Sequence, residues 1–77
     1  MKITILPHAR ERMHERGISE GQVHGTLEQP WREYRGNKGR TVAVRRVGQH
    51  HAIKVVDNLG PADERIVVTV LRGRPRR

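Results

Sequence analysis

Apolar and polar positions follow two different periods along this chain, and the period changes at Pro30. Residues 2–6, KITIL, form a short β-favouring run that Pro7 ends, and Pro7 also suits the first turn of a helix. A helix is predicted over about 8–16, with Ala9 and Met13 facing a sheet and Gly17 as its C-terminal stop. Ser19 opens a second helix. Gln22, three residues on, completes a capping-box pattern, Val23 and Leu27 recur at i,i+4, and Pro30 closes the element. Gly21 and Gly25 each weaken this helix by about 1 kcal/mol, which calls for either a closely approaching backbone or a frayed helix.

Beyond Pro30 the pattern is that of strands. WREYR alternates, GNKG is a turn, and RTVAVRRV puts Val42 and Val44 on one face. GQ turns the chain into HHAIKVV, and DNLGPADE reads as a longer loop. The last run, RIVVTVL, is apolar on both faces, as expected of a strand with a neighbour on each side. The predicted class is α+β: two N-terminal helices packed on a four- to five-stranded antiparallel sheet, with the final strand central. Seventy-seven residues fill one domain, expected over 1–72, and leave a basic tail at 73–77 that is expected to be disordered. Trp31 is expected in the thin core.

Charge changes the picture most. Sixteen Lys and Arg stand against eight Asp and Glu, a net charge of +8 at pH 7, and Lys occurs only at 2, 38 and 54. Arg forks onto phosphate through parallel hydrogen bonds, so an Arg-rich surplus points to nucleic acid as the partner. Cysteine is absent, which excludes disulfides and thiol chemistry. No apolar run suggests a signal peptide or membrane span, so a cytoplasmic location without a membrane partner is expected. The five histidines, at 8, 14, 24, 50 and 51, lack metal-ligand spacing, and neither a Gly-rich phosphate loop nor paired carboxylates occur, so neither a metal nor a cofactor is expected.

The cationic residues fall into two groups. His8, Arg12 and Arg16 advance about 100° per residue along the first helix and form one ridge bordering the core. On the strands, alternation places Arg46 with Val42 and Val44, read as the core side, where an Arg needs an anion. Arg40, Arg45, Lys54 and Arg65 add charge to neighbouring strands. If the two groups converge on one hollow, their chemistry suits metal-free RNA cleavage. That reaction needs a base for the 2′-OH, cations for the crowded phosphorane and an acid for the leaving oxygen.

HARERMHERGIS, then VHGTLEQPW, the Gly-flanked YRGNKGR and a closing RIVVTVLR resemble an uncharacterised family of small bacterial and phage proteins. The resemblance implies a relationship to the RelE and BrnT toxins, the ribonuclease halves of toxin–antitoxin pairs. The resemblance spans His8 to Arg72. It implies a RelE/BrnT-like fold whose site is a basic concave sheet face. It further implies catalytic roles for His8, Arg12, Arg46, Arg65 and Thr69, with Arg16, Arg40, Arg45, Lys54 and Arg72 gripping the nucleic acid. The partners implied are RNA, an antitoxin protein and the ribosome. Two departures weigh against ribosome dependence: the first strand is very short, and neither a helix nor a Tyr follows VTVLRGRPRR. Two other functions use the same residues, a non-catalytic nucleic-acid-binding or phage regulatory protein and a module inhibiting a host or defence protein.

Overall fold

The computed structural model describes residues 1–73. Strand β1 (Lys2–Ile5) leads into helix α1 (Pro7–Arg16) and helix α2 (Glu20–Glu28). Strands β2 (Arg32–Arg35), β3 (Thr41–Arg46), β4 (Ala52–Leu59) and β5 (Glu64–Gly73) follow, with a 3-10 turn at Asn37–Gly39. The local signals act as their chemistry requires. Pro7 occupies the first turn of α1, and Gly17, in the left-handed region at φ 63°, ends it. The Ser19 hydroxyl accepts from the Gln22 N–H at 3.1 Å, and the Gln22 amide oxygen accepts from the Ser19 N–H at 3.0 Å. Both halves of the capping box are therefore made.

The sheet runs in the order β1-β5-β4-β3-β2. Hairpins make β2 to β5 antiparallel, but β1 pairs with β5 in parallel, so the sheet is mixed and not the antiparallel one expected. The reason lies in the way β1 and α1 follow β5 end to end. Leu6 N–H donates to the Val67 carbonyl at 3.2 Å where α1 begins. At the other end Arg72 donates to the carbonyls of Arg16 and Gly17. A strand continued by such a helix has to run the way β5 runs. The two helices thus follow strand β1, which lies at the β-favouring run 2–6. β5 has neighbours on both sides, as its apolar pattern implied, yet β4 holds the centre.

Three smaller expectations also change. The loop after β4 is confined to residues 60–63, because Asp57, Asn58 and Leu59 pair with β5. A register shift between Val56 and Asp57 leaves Val68 as the extra residue of a bulge in β5. Gly73 belongs to β5, paired with Ala52, and the rest of the expected tail (74–77) lies outside the described residues.

The core lies between the helices and one face of the sheet. Ala9, Met13, Ile18, Val23 and Leu27 pack there with Ala43, Ile53, Val55, Val67 and Val70. Val42, Val44 and Ala52, with Val56 beside them, form a separate buried cluster on the opposite face, and no helix residue belongs to it. The face of Val42, Val44 and Arg46 is therefore the open one, not the core side. Trp31 is 45% exposed instead of being in the core, since its N–H bonds to the Val44 carbonyl at the start of the edge strand. No helix among the described residues is long and apolar enough to cross a membrane.

Candidate nucleic-acid interface

Paired residues of a sheet share a face, so the register specifies the open surface. One row runs Tyr34, Val42, Val56, Thr69, and the next runs Arg32, Val44, Lys54, Leu71. Arg46 pairs with Ala52 in a third row. Arg40, two residues before Val42, lines the same side. The result is an apolar floor of small side chains rimmed by cations. Arg40 and Arg46 bracket the floor along β3, about 20 Å apart at ~3.3 Å per residue. Aromatic rings stand at the β2 edge. The Arg46 guanidinium lies 4.2 Å over the Trp31 ring and that of Arg32 is 5.9 Å from the Tyr34 ring.

Charge is sorted between the two faces. Glu33 shares a row with Ala43 and Val55, and Asp57 shares one with Thr41 and Val67, so both carboxylates lie on the helix side. Arg65 joins them there, 3.1 Å from Asp57 Oδ2 and 3.6 Å from Glu33 Oε2. Asp57 is fully buried, and its Oδ1 and the Arg65 Nε have no hydrogen-bond partner. Burial pushes the Asp57 carboxyl above the usual carboxylate range, against the opposing pull of the Arg65 hydrogen bond. On α1, Arg12 bonds Glu15 and holds its carboxyl below the ordinary value. Among the described residues, no carboxylate lies within ion-pair distance of Arg32, Arg40, Arg46 or Lys54.

A hollow opens where the β2–β3 turn meets this face. Tyr34, Arg35, Gly36, Asn37, Arg40, Val42, Val56 and Thr69 line it. The turn is closed by the Gly36 N–H donating to the Arg40 carbonyl at 2.7 Å, and it needs left-handed backbone at Lys38 (φ 60°) and Gly39 (φ 71°).

Residues 5–72 match a domain of unknown function, DUF4258. The chain belongs to the DUF4258 family. No curated protein and no solved structure matches it. The DUF4258 match takes in both helices and strands β2 to β4 entire, so the open face lies within the family domain. Membership carries no activity with it, and nothing in the match links the chain to the RelE or BrnT toxins.

Within this DUF4258 domain, the expected site residues do not form one hollow. Arg40, Arg46, Lys54 and Thr69 do share the open face. His8, Arg12 and Arg16 belong to α1, in the layer on the other side of the sheet, and Arg12 and Arg16 are engaged by Glu15. Arg65 is held by its two carboxylates. Arg72 donates to the last carbonyls of α1, a helix-capping role. Arg45 pairs with Ile53 on the helix side and lies over Gly25, where a Cβ would collide with its guanidinium. That settles Gly25: a side chain, not another backbone, occupies the space. The open face also carries Arg32, Trp31, Tyr34 and, from the turn, Asn37, none of them among the expected site residues. The signal for Arg32 and Tyr34 was present, since WREYR puts both on one face; the pairing of β2 with β3 shows which face that is.

Proposed function

We propose that the protein binds single-stranded RNA along the open face of its sheet. The observation that carries this reading is the sorting of charge. Arg32, Arg40, Arg46 and Lys54 rim the open face without carboxylate partners among the described residues, while Glu33 and Asp57 of the same strands are turned to the helix side and taken up by Arg65. A phosphate chain that settles on a solvated cation row gives up its condensed counterions. Exposed rings over an apolar floor suit unpaired bases, whose π-faces a duplex hides. The toxin relationship that the sequence resemblance implies makes RNA the first strand to test.

The reading is confined to binding. General acid–base cleavage needs a base and an acid on opposite sides of one phosphate. Neither His8 nor Arg12 shares a layer with Thr69 and Arg46. Fluorescence anisotropy with a short labelled RNA, repeated over a series of salt concentrations, tests the proposal. Four cations meeting phosphates give a slope of log K against log salt of about −3, at roughly 0.7 per contact on a single strand. The same RNA should remain intact after prolonged incubation with excess protein. Affinity that ignores salt, or equal affinity for a polyglutamate competitor, overturns the reading.

A further inference from the structure

We infer that the hollow beside the β2–β3 turn is a single-nucleotide subsite, taking one unpaired base against Tyr34 and its phosphate against Arg40. The inference rests on the RNA-binding reading above and adds a position to it. An open hollow of about 560 Å³ is floored by Val42 and Val56 and walled by Tyr34, which is 42% exposed. A nucleobase has apolar faces and polar edges. Laid on this floor beside the ring, it turns an edge toward the Thr69 hydroxyl and the Asn37 amide. Among the described residues neither group makes a side-chain hydrogen bond.

Charge around the hollow points the same way. Lys38 and Arg40 lie within one turn and have no carboxylate within ion-pair distance among the described residues. The Arg40 guanidinium offers paired donors to a phosphate there. The backbone keeps the space clear, because a Cβ at Gly36 would come within 3.0 Å of Val42 Cγ2.

The two rings of this edge are not equivalent, and that selects the end of the face. Arg46 already covers Trp31 at 4.2 Å, whereas Arg32 stands 5.9 Å from Tyr34, at the outer limit of such contacts. The free ring face is that of Tyr34.

The test is anisotropy with a short single-stranded RNA, using the full chain and the variants Tyr34→Ala, Tyr34→Phe, Arg40→Ala and Trp31→Ala. Circular dichroism checks that each variant folds. Tyr34→Ala should weaken binding about tenfold to hundredfold, and Tyr34→Phe, which keeps the ring, should stay within about twofold. Arg40→Ala should weaken binding and make the salt slope shallower by about 0.7. Trp31→Ala should cost less than Tyr34→Ala. A 4-thiouridine strand should crosslink to the peptide holding Tyr34. Folded Tyr34→Ala with wild-type affinity overturns the subsite while the platform stands, as does a larger loss at Trp31. A wild-type chain that binds no RNA overturns both.

Discussion

One sheet carries two faces that handle charge differently, and β3 shows residue by residue where they divide. Thr41, Ala43 and Arg45 share rows with helix-side partners, while Val42, Val44 and Arg46 look the other way. On the covered side the buried Asp57 is paired with Arg65, because an ion removed from water requires a counter-ion, and the exposed Glu33 lies 3.6 Å from the same guanidinium. On the open side the cations stand in solvent, where an unpaired charge costs little. The contrast separates charges that hold the fold from charges free to meet a ligand. It also reassigns Arg65, a catalytic candidate by resemblance, to the structural group.

The largest effect expected from breaking that contrast is on stability. Arg65→Ala removes the cation beside Asp57 and leaves a fully buried carboxyl uncompensated. Losing one partner of a buried pair costs about 3–5 kcal/mol, a large share of the roughly 5–15 kcal/mol that domains have. Urea denaturation should show the midpoint collapsing. A loss below about 1 kcal/mol would place Arg65 among the solvated charges instead.

The open face should answer in the opposite currency. Arg46→Glu combined with Lys54→Glu should weaken RNA binding by at least about tenfold and make the salt slope shallower by about 1.4. Stability should move by no more than about 0.5 kcal/mol, as for surface substitutions generally. Equal damage to folding and binding would erase the distinction between the faces.

The same division explains how far the sequence could be read. Local signals were legible: Pro7, Gly17 and the Ser19–Gln22 box each depend on neighbours a turn away. Alternation along β3 was legible too, but alternation fixes parity and not side. Which parity met the helices depended on α2 reaching β3 over small Ala43, a contact between segments far apart in sequence. Asp57 stood before Asn, Leu, Gly and Pro and read as loop. The bulge at Val68 and the bond to Arg65 draw it into β4. For the site, Arg40, Arg46, Lys54 and Thr69 do share one face. The α1 ridge stays apart because β1 and α1 follow β5 along the covered side.

Helix α2 offers a milder test of the covered face. Gly21 has no neighbour within 4 Å of a built Cβ except the Ser19 hydroxyl at 3.9 Å, and its φ is not positive. Gly21→Ala should therefore raise stability by about 0.5–1 kcal/mol, seen as a higher melting temperature. Gly25→Ala gains the same propensity but must displace Arg45, so it should gain less. A larger gain at Gly25 would mean that Arg45 contributes nothing to the covered face.

The smallest effect is a slope with pH, and its sign is informative. Burial raises the folded-state pKa of Asp57, with Glu33 adding to the rise and Arg65 opposing it. The folded chain then binds that proton more tightly than the unfolded chain. Stability from this group is greatest below the ordinary Asp value of about 3.9 and falls as pH climbs from there through the raised value. Glu15 behaves oppositely: its contribution is present above its unfolded value and is lost as pH falls through its lowered one. Asp57→Asn abolishes the first dependence and leaves the second. The unfolding free energy of wild type minus that of Asp57→Asn should thus decline with rising pH and then level off. A difference that rises with pH would mean that Arg65 outweighs burial at Asp57. In that case the covered face would hold its ion pair as a source of stability, and not merely as compensation for the one carboxylate buried there, Asp57.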